Sequence, residues 1–184
     1  MATAGPNSPS AASGSGWVGL TQVYSSDDFY ASVGVSGSST STALLVQGYG
    51  FSIPAGSSIN GITVVIERKA NVASYLKDYT IQLLNGSGTG VGSNKADTGT
   101  YWPTSDANKT YGSSSDTWSA SLTDTDVNSS SFGVQIVAQN TSISARTIYV
   151  DYVSITIDYT AASGQPMQAR SRLVPFVNKS RIGW

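Results

Sequence analysis

The sequence contains no cysteine and no histidine, and Glu67 is its only glutamate. Without cysteine there is neither a disulfide framework nor a thiolate metal site, and without histidine the usual general base and the commonest transition-metal ligand are missing. Only 11% of the 184 residues are charged, and the net charge of −1 gives the whole chain no electrostatic attraction for nucleic acid or an anionic membrane. We therefore expect no cofactor, no metal, no nucleic-acid partner and no membrane partner.

Two further absences concern targeting. No run approaches the roughly 20 apolar residues of a membrane helix, and the first residues combine neither a charged region nor an apolar region of the kind found in secretory signals. We expect a protein that is made and used without this type of export.

The residues that are abundant favour strands. Serine, threonine, glycine, valine, isoleucine and tyrosine dominate, and apolar residues recur at every second position in several segments. The clearest segments are Ile62, Val64 and Ile66; Tyr79, Ile81 and Leu83; and Phe132, Val134, Ile136 and Ala138. Many short strands separated by turn residues, without helical patches, predict an all-β fold with a single antiparallel β-sandwich, jelly-roll-like in connectivity.

The last long strand pattern, over residues 147–159, changes parity partway along. Ile148 and Val150 share one face with Tyr152, whereas the apolar positions from Val153 onward fall on the other face. A β-bulge or bend near Tyr152 is predicted by this switch.

Composition divides the chain into three parts. Residues 1–16 are small and polar and are predicted to form a flexible N-terminal arm, residues 17–160 the β-sandwich domain, and residues 161–184 a C-terminal arm that is both basic and apolar. Within the domain, residues 86–116 are polar and glycine- and serine-rich, which predicts an excursion with one or two short strands.

Carboxylates are the only plausible catalytic groups that remain. Asp106, Asp116, Asp124 and Asp126 fall in predicted loops, where a glycosidase-like pair is possible in principle, but turn and cap aspartates are the plainer interpretation. The segment 124–128 imitates the start of a calcium loop, yet it lacks the glycine and the glutamate that such a loop needs. We predict no catalytic residue and no metal site, and keep an aspartate-dependent glycan hydrolase as an alternative.

The tryptophans and one tyrosine offer a second kind of site, because aromatic rings can stack on sugars. Trp17 and Trp118 are predicted to pack in the core, whereas Tyr101 and Trp102, in the polar excursion, form a possible ligand-stacking pair or part of the core.

Three segments together carry a resemblance to a known class of proteins, namely residues 50–67, 131–137 and 149–159. They resemble β-sandwich modules of tailed-bacteriophage virions, found in capsid decoration (cement) proteins and in some tail or fibre proteins. The resemblance implies a non-enzymatic structural protein that is assembled in the host cytoplasm into the virion, with the major capsid protein or another virion protein as partner. It also implies a homo-oligomer, a trimer in typical decoration proteins.

Within that class, a decoration protein that binds the outer shell and bridges capsomers is the expected function. The C-terminal arm would make the contact, since its bases could pair with acids of the shell while its apolar side chains act as anchors. The residues expected there are Arg170, Arg172, Leu173, Phe176, Lys179, Arg181 and Trp184. Two alternatives stay open: the arm could instead add a strand to its own domain, and the chain could be a receptor- or carbohydrate-binding module of a tail fibre that uses Tyr101 and Trp102.

Overall fold

Residues 1–162 are described by a computed structural model. They form ten strands, a short 3-10 helix over Leu20–Val23 and one α-helical turn, α1, over Asp124–Asn128. The strands are β1 (Ala2–Asn7), β2 (Ala11–Ser13), β3 (Ala31–Val35), β4 (Leu44–Gln47), β5 (Ser58–Ala70), β6 (Leu76–Leu84), β7 (Gly90–Val91), β8 (Ala107–Ser113), β9 (Gly133–Asn140) and β10 (Arg146–Thr160).

The strands belong to two sheets in which all the pairings are antiparallel. In the first sheet β10 is central and pairs along one edge with β5, whose other edge pairs with β8. Along its other edge β10 pairs with β3 near its start and with β1 near its end. In the second sheet the order is β2, β4, β9, β6, β7. The chain changes sheet at almost every connection, so the predicted antiparallel β-sandwich is confirmed.

The core lies between the sheets and is built from the alternating positions seen in the sequence. Ile62, Val64 and Ile66 of β5 enter it from the first sheet and Val134 and Ile136 of β9 from the second, and all five are fully buried. Trp17 and Trp118 are also buried in this core, as predicted. One position differs from the expected pattern: a bulge between Asp78 and Thr80 shifts the register of β6, so Tyr79 is 50% exposed and the inward series runs through Leu76 and Asp78 instead.

The predicted irregularity in the last strand is also present. The pairing of β10 with β5 shifts between Val150 and Tyr152, which leaves Asp151 as the extra residue. Residues on both sides of this bulge can then direct apolar side chains into the same core, which explains the change of parity in the sequence.

The prediction of a flexible arm over residues 1–16 is wrong. β1 pairs with the C-terminal half of β10, where Ala2 lies opposite Tyr159, and β2 pairs with β4 in the other sheet. Backbone hydrogen bonds and the packing of Ala4 and Ala12 on the core hold this segment, and neither leaves a strong apolar pattern in the sequence. The sandwich therefore begins near residue 2 and not at residue 17.

The excursion over residues 86–116 contains β7 and β8, in agreement with the one or two short strands expected there. Neither helix in residues 1–162 is long and apolar enough to cross a membrane. The predicted partner-binding residues of the C-terminal arm, from Arg170 to Trp184, lie outside the described residues.

Candidate functional site

The two aromatic residues predicted to stack on a ligand point to opposite sides of the second sheet. Tyr101 lies opposite Lys77 of β6 and is 43% exposed, whereas Trp102 is 1% exposed. Successive side chains of an extended segment alternate between faces, so only one of the two can reach solvent here. Trp102 is therefore a core residue and not part of a stacking surface, which corrects half of the prediction.

Trp102 belongs to a buried polar network that sequence reasoning missed. Its indole Nε1–H donates to Asp78 Oδ1 over 2.7 Å, and the guanidinium of Arg68 stacks 4.4 Å from the centre of its ring. Asp78 is 0% and Arg68 3% exposed, and the two form an ion pair between β6 and β5, hence between the two sheets. Asp78 also accepts hydrogen bonds from Tyr111 Oη (2.8 Å) and from the backbone N–H of Asp97 (2.9 Å).

Two of the loop aspartates considered for catalysis, Asp116 and Asp126, have local partners. Asp126 caps α1 by accepting from the backbone N–H and hydroxyl of Thr123, and these bonds lower the pKa of its carboxyl. The ammonium of Lys95, 2.8 Å from Asp116, lowers the pKa of that carboxyl. A general acid needs a raised pKa, whereas the pKa values of these two carboxyls are lowered. The two residues therefore act as turn and cap residues.

A cluster of three carboxylates, Asp28, Asp106 and Asp151, lies where the bulge of β10 meets the start of β8. One carboxylate oxygen from each residue lies within 4.8 Å of the others. Asp151 accepts from the N–H of Asp28 over 3.1 Å, and burial raises the pKa of its carboxyl. Asp106 is hydrogen-bonded to the hydroxyl of Tyr30 and lies 3.6 Å from the ammonium of Lys69. The cluster is thus partly neutralised by its own neighbours.

The outer face of the second sheet carries the most ordered set of exposed polar side chains. In β9, Val134, Ile136 and Ala138 point into the core, so Gln135, Val137 and Gln139 point outward. Residues directly opposite each other on antiparallel strands share a face, and the pairings therefore define three consecutive outward rows beyond the one that joins Gln47, Gly133 and Leu84. The rows are Leu45–Gln135–Gln82, Val137–Thr80 and Thr40–Gln139–Lys77–Tyr101.

These three rows form a surface across β4, β9 and β6 that we call the amide face. Successive rows are about 7 Å apart, because side chains on one face recur every two residues. Val137 is buried without being part of the core between the sheets, so it lies under the surrounding polar side chains as an apolar floor.

Hydrogen bonds fix part of the amide face and leave part of it free. Gln82 Nε2 donates to the carbonyl of Gly92 over 2.9 Å, and Gln47, one register position beyond Gln135, donates to the carbonyl of Ser131 over 2.6 Å. The side-chain amides of Gln135 and Gln139 make no hydrogen bond with any residue between 1 and 162. Fixed amides thus flank free ones, and every primary amide can both donate and accept.

Charge is almost absent from the amide face. Among the outward strand positions that the structure describes, Lys77 alone is charged. The face is also open, since residues 1–162 form no pocket. The sequence signal that could have located it is the presence of glutamine at outward positions of β4, β6 and β9, beside apolar residues.

Comparison with solved structures aligns this chain with several of them. They include a CBM4 structure (19% identity; 74% of this chain and 87% of that chain aligned; TM-score 0.39) and the N-terminal cellulose-binding domain of the Cellulomonas fimi β-1,4-glucanase C (13%; 89% and 96%; 0.39). A third is a crystal structure with xylogluco-oligosaccharide (18%; 81% and 36%; 0.38). No family model matches the sequence, and no curated protein does.

Proposed function

We propose that this chain is a non-catalytic carbohydrate-binding module whose ligand lies across the amide face. The observation that supports the proposal is the set of free amides, Gln135 and Gln139, in a surface bordered by the exposed ring of Tyr101. Sugar hydroxyls both donate and accept hydrogen bonds, which matches primary amides, and the apolar side of a sugar ring packs well on an aromatic ring. A nearly uncharged face suits a glycan better than nucleic acid or a strongly charged protein.

The openness of the face sets the expected strength of binding. A ligand on an open surface keeps much of its own surface in water, so we expect dissociation constants from about 1 μM to 1 mM, equivalent to about −8 to −4 kcal/mol.

Calorimetric titration with soluble β-glucan, xylan, xyloglucan and mannan tests the proposal. We expect at least one of them to bind, and the double variant Gln135→Ala/Gln139→Ala to weaken that binding about tenfold, since two hydrogen bonds of about 0.5–1.5 kcal/mol each are removed. Tyr101→Ala should weaken it as well.

Two control variants keep this test specific. Gln22→Ala removes an amide at the 3-10 helix, and Phe29→Ala removes an exposed ring from the loop before β3; neither residue lies on the amide face. Both should bind like the unmodified protein. The proposal is overturned if none of the four polysaccharides binds, or if binding is indifferent to the Gln135 and Gln139 changes.

A virion decoration role is the second candidate, and the distribution of charge favours it. Residues 1–160 carry all 11 acidic residues against 6 basic ones, whereas residues 161–184 carry 4 basic residues and no acidic one. Opposite charges on two parts of one chain suit a body that is held on a surface by a basic segment. Co-sedimentation with empty phage capsids, comparing the full chain with one ending at Thr160, tests this role: binding lost on truncation supports it, and a full chain that ignores capsids excludes it.

A further inference from the structure

We infer that the row Gln139–Lys77–Tyr101 is a subsite for a carboxylate-bearing sugar, a uronic acid, at one end of the amide face. The inference rests on the proposed carbohydrate-binding function and adds a ligand class to it. Its starting point is that one end of an otherwise uncharged surface carries an ammonium group.

Lys77 differs from the other three lysines of the described chain. Lys69 lies 3.6 Å from Asp106, Lys95 2.8 Å from Asp116 and Lys109 2.6 Å from Asp97. Lys77 has no carboxylate within ion-pair distance among residues 1–162, and it is not stacked on an aromatic ring there. Its charge is therefore available to a ligand.

The position of Lys77 within its row determines what it can recognise. The side chain is half-buried and stands between the amide of Gln139 on β9 and the ring of Tyr101. A half-buried lysine packs its aliphatic stem along the protein surface and keeps its ammonium in solvent, where a bound ligand can reach it. A sugar ring packed on Tyr101 would bring a C6 carboxylate to that ammonium and a ring hydroxyl to the amide of Gln139.

The expected preference for a uronate depends on how exposed the ion pair between the Lys77 ammonium and the sugar carboxylate is to solvent. Solvent-exposed ion pairs contribute about 0.2–1 kcal/mol, which corresponds to roughly a 1.4- to fivefold preference for the uronate over the neutral sugar. The preference should shrink as salt is added, because exposed charges are screened.

The experiment compares matched pairs of oligosaccharides that differ in the C6 group or in one uronate branch. The probes are cello-oligosaccharide with its C6-oxidised form, manno-oligosaccharide with oligomannuronate, and xylo-oligosaccharide with its glucuronate-branched form. Binding is measured calorimetrically at an ionic strength of about 0.02 M and again at about 0.5 M. We expect the uronate member of at least one pair to bind up to about fivefold more tightly, and only at the lower ionic strength.

Three lysine variants test whether the preference for the uronate depends on the charge of Lys77. Lys77→Gln should abolish the preference while the neutral probe still binds, Lys77→Arg should keep it, and Lys95→Gln, which removes a paired lysine elsewhere, should leave it unchanged. A preference that survives in Lys77→Gln overturns the inference. If the unmodified protein binds both members of every pair equally, the uronate subsite is overturned and the carbohydrate-binding function stands. If none of the six probes binds, both the subsite and the carbohydrate-binding function are overturned.

Discussion

At the scale of single residues, Asp78 is a buried carboxylate that is surrounded by hydrogen-bond donors. Its two carboxylate oxygens accept from a guanidinium, an indole, a phenol and a backbone amide, and the carboxylate is fully buried. The ring of Tyr111 shares this interior, and burial raises the pKa of its hydroxyl far above the usual range. A buried ion pair contributes little net stability compared with apolar packing, but removing one partner leaves the other charged and unpaired.

We therefore expect Asp78→Asn to lower the free energy of unfolding by about 3–5 kcal/mol, because Arg68 would stay buried without its counter-ion. Urea denaturation followed by tryptophan fluorescence measures the change. The control is Asp116→Asn, whose pair with Lys95 is partly exposed and should cost less than about 1 kcal/mol. Equal effects of the two variants would contradict this account. If Asp78→Asn does not fold, Trp102→Phe removes the indole donor together with part of the buried ring, and the acceptor left short of a partner should by itself cost about 1–3 kcal/mol.

At the scale of elements, the informative feature is the pairing of β1 and β2 with opposite sheets. β1 covers the edge of β10 along Ile155 and Ile157, and Thr3 Oγ1 adds a 2.6 Å hydrogen bond to Asp158. A single segment of about a dozen residues thus closes one edge in each layer. Exposed strand edges are sites of unwanted pairing between molecules.

Deleting residues 1–13 should lower the unfolding midpoint and promote self-association, because it removes backbone hydrogen bonds from both sheets and frees the edges of β10 and β4. Thermal unfolding by circular dichroism and light scattering of the folded protein measure the two effects. The control, Ala2→Ser/Ala11→Ser, keeps both strands and should change stability by no more than about 0.5 kcal/mol. A truncated protein with unchanged melting and no association would restore the flexible-arm prediction.

For the molecule as a whole, the carboxylates determine the response to acid. Hydrogen bonds from Lys109 and Thr100 lower the pKa of Asp97 to about 2, and the pKa values of Asp116 and Asp126 are lowered too. A carboxyl whose pKa is lower in the folded state stabilises the fold above its unfolded pKa, and this stabilisation is lost as the pH falls through the folded pKa. Asp151, whose pKa is raised by burial, acts in the opposite direction.

The melting temperature should consequently fall as the pH is lowered from about 4 toward 2. In Asp97→Asn the melting temperature should be lower than that of the unmodified protein near pH 5, and the two should converge near pH 2, where the unmodified carboxyl is itself becoming protonated. Lys109→Gln should show the same convergence, since it removes the first partner. Melting curves recorded over this range that stay parallel for variant and parent would contradict the assignment.

The sequence predicts the parts of this fold that depend on alternation along one strand. The buried series of β5 and β9 and the bulge in β10 follow from parity. What it does not predict depends on which strands become neighbours. The N-terminal residues contain no pattern that predicts the pairing of Ala2 with Tyr159. The rows of the amide face depend on the pairing of β6 with β9. Asp78 shows the same limit, because its donors come from β5 and from the excursion over residues 86–116, including β8.

The pairing of Ala2 with Tyr159 also makes the two ends of the described chain leave the sandwich at one corner. Adjacent strands are about 5 Å apart, so a short linker from residue 162 back to residue 1 could close the chain into a ring without disturbing any strand. A tag, a surface or a partner domain attached at residue 1 or at residue 162 would be held from that corner of the first sheet, and the amide face, on the far layer, would be presented away from the point of attachment.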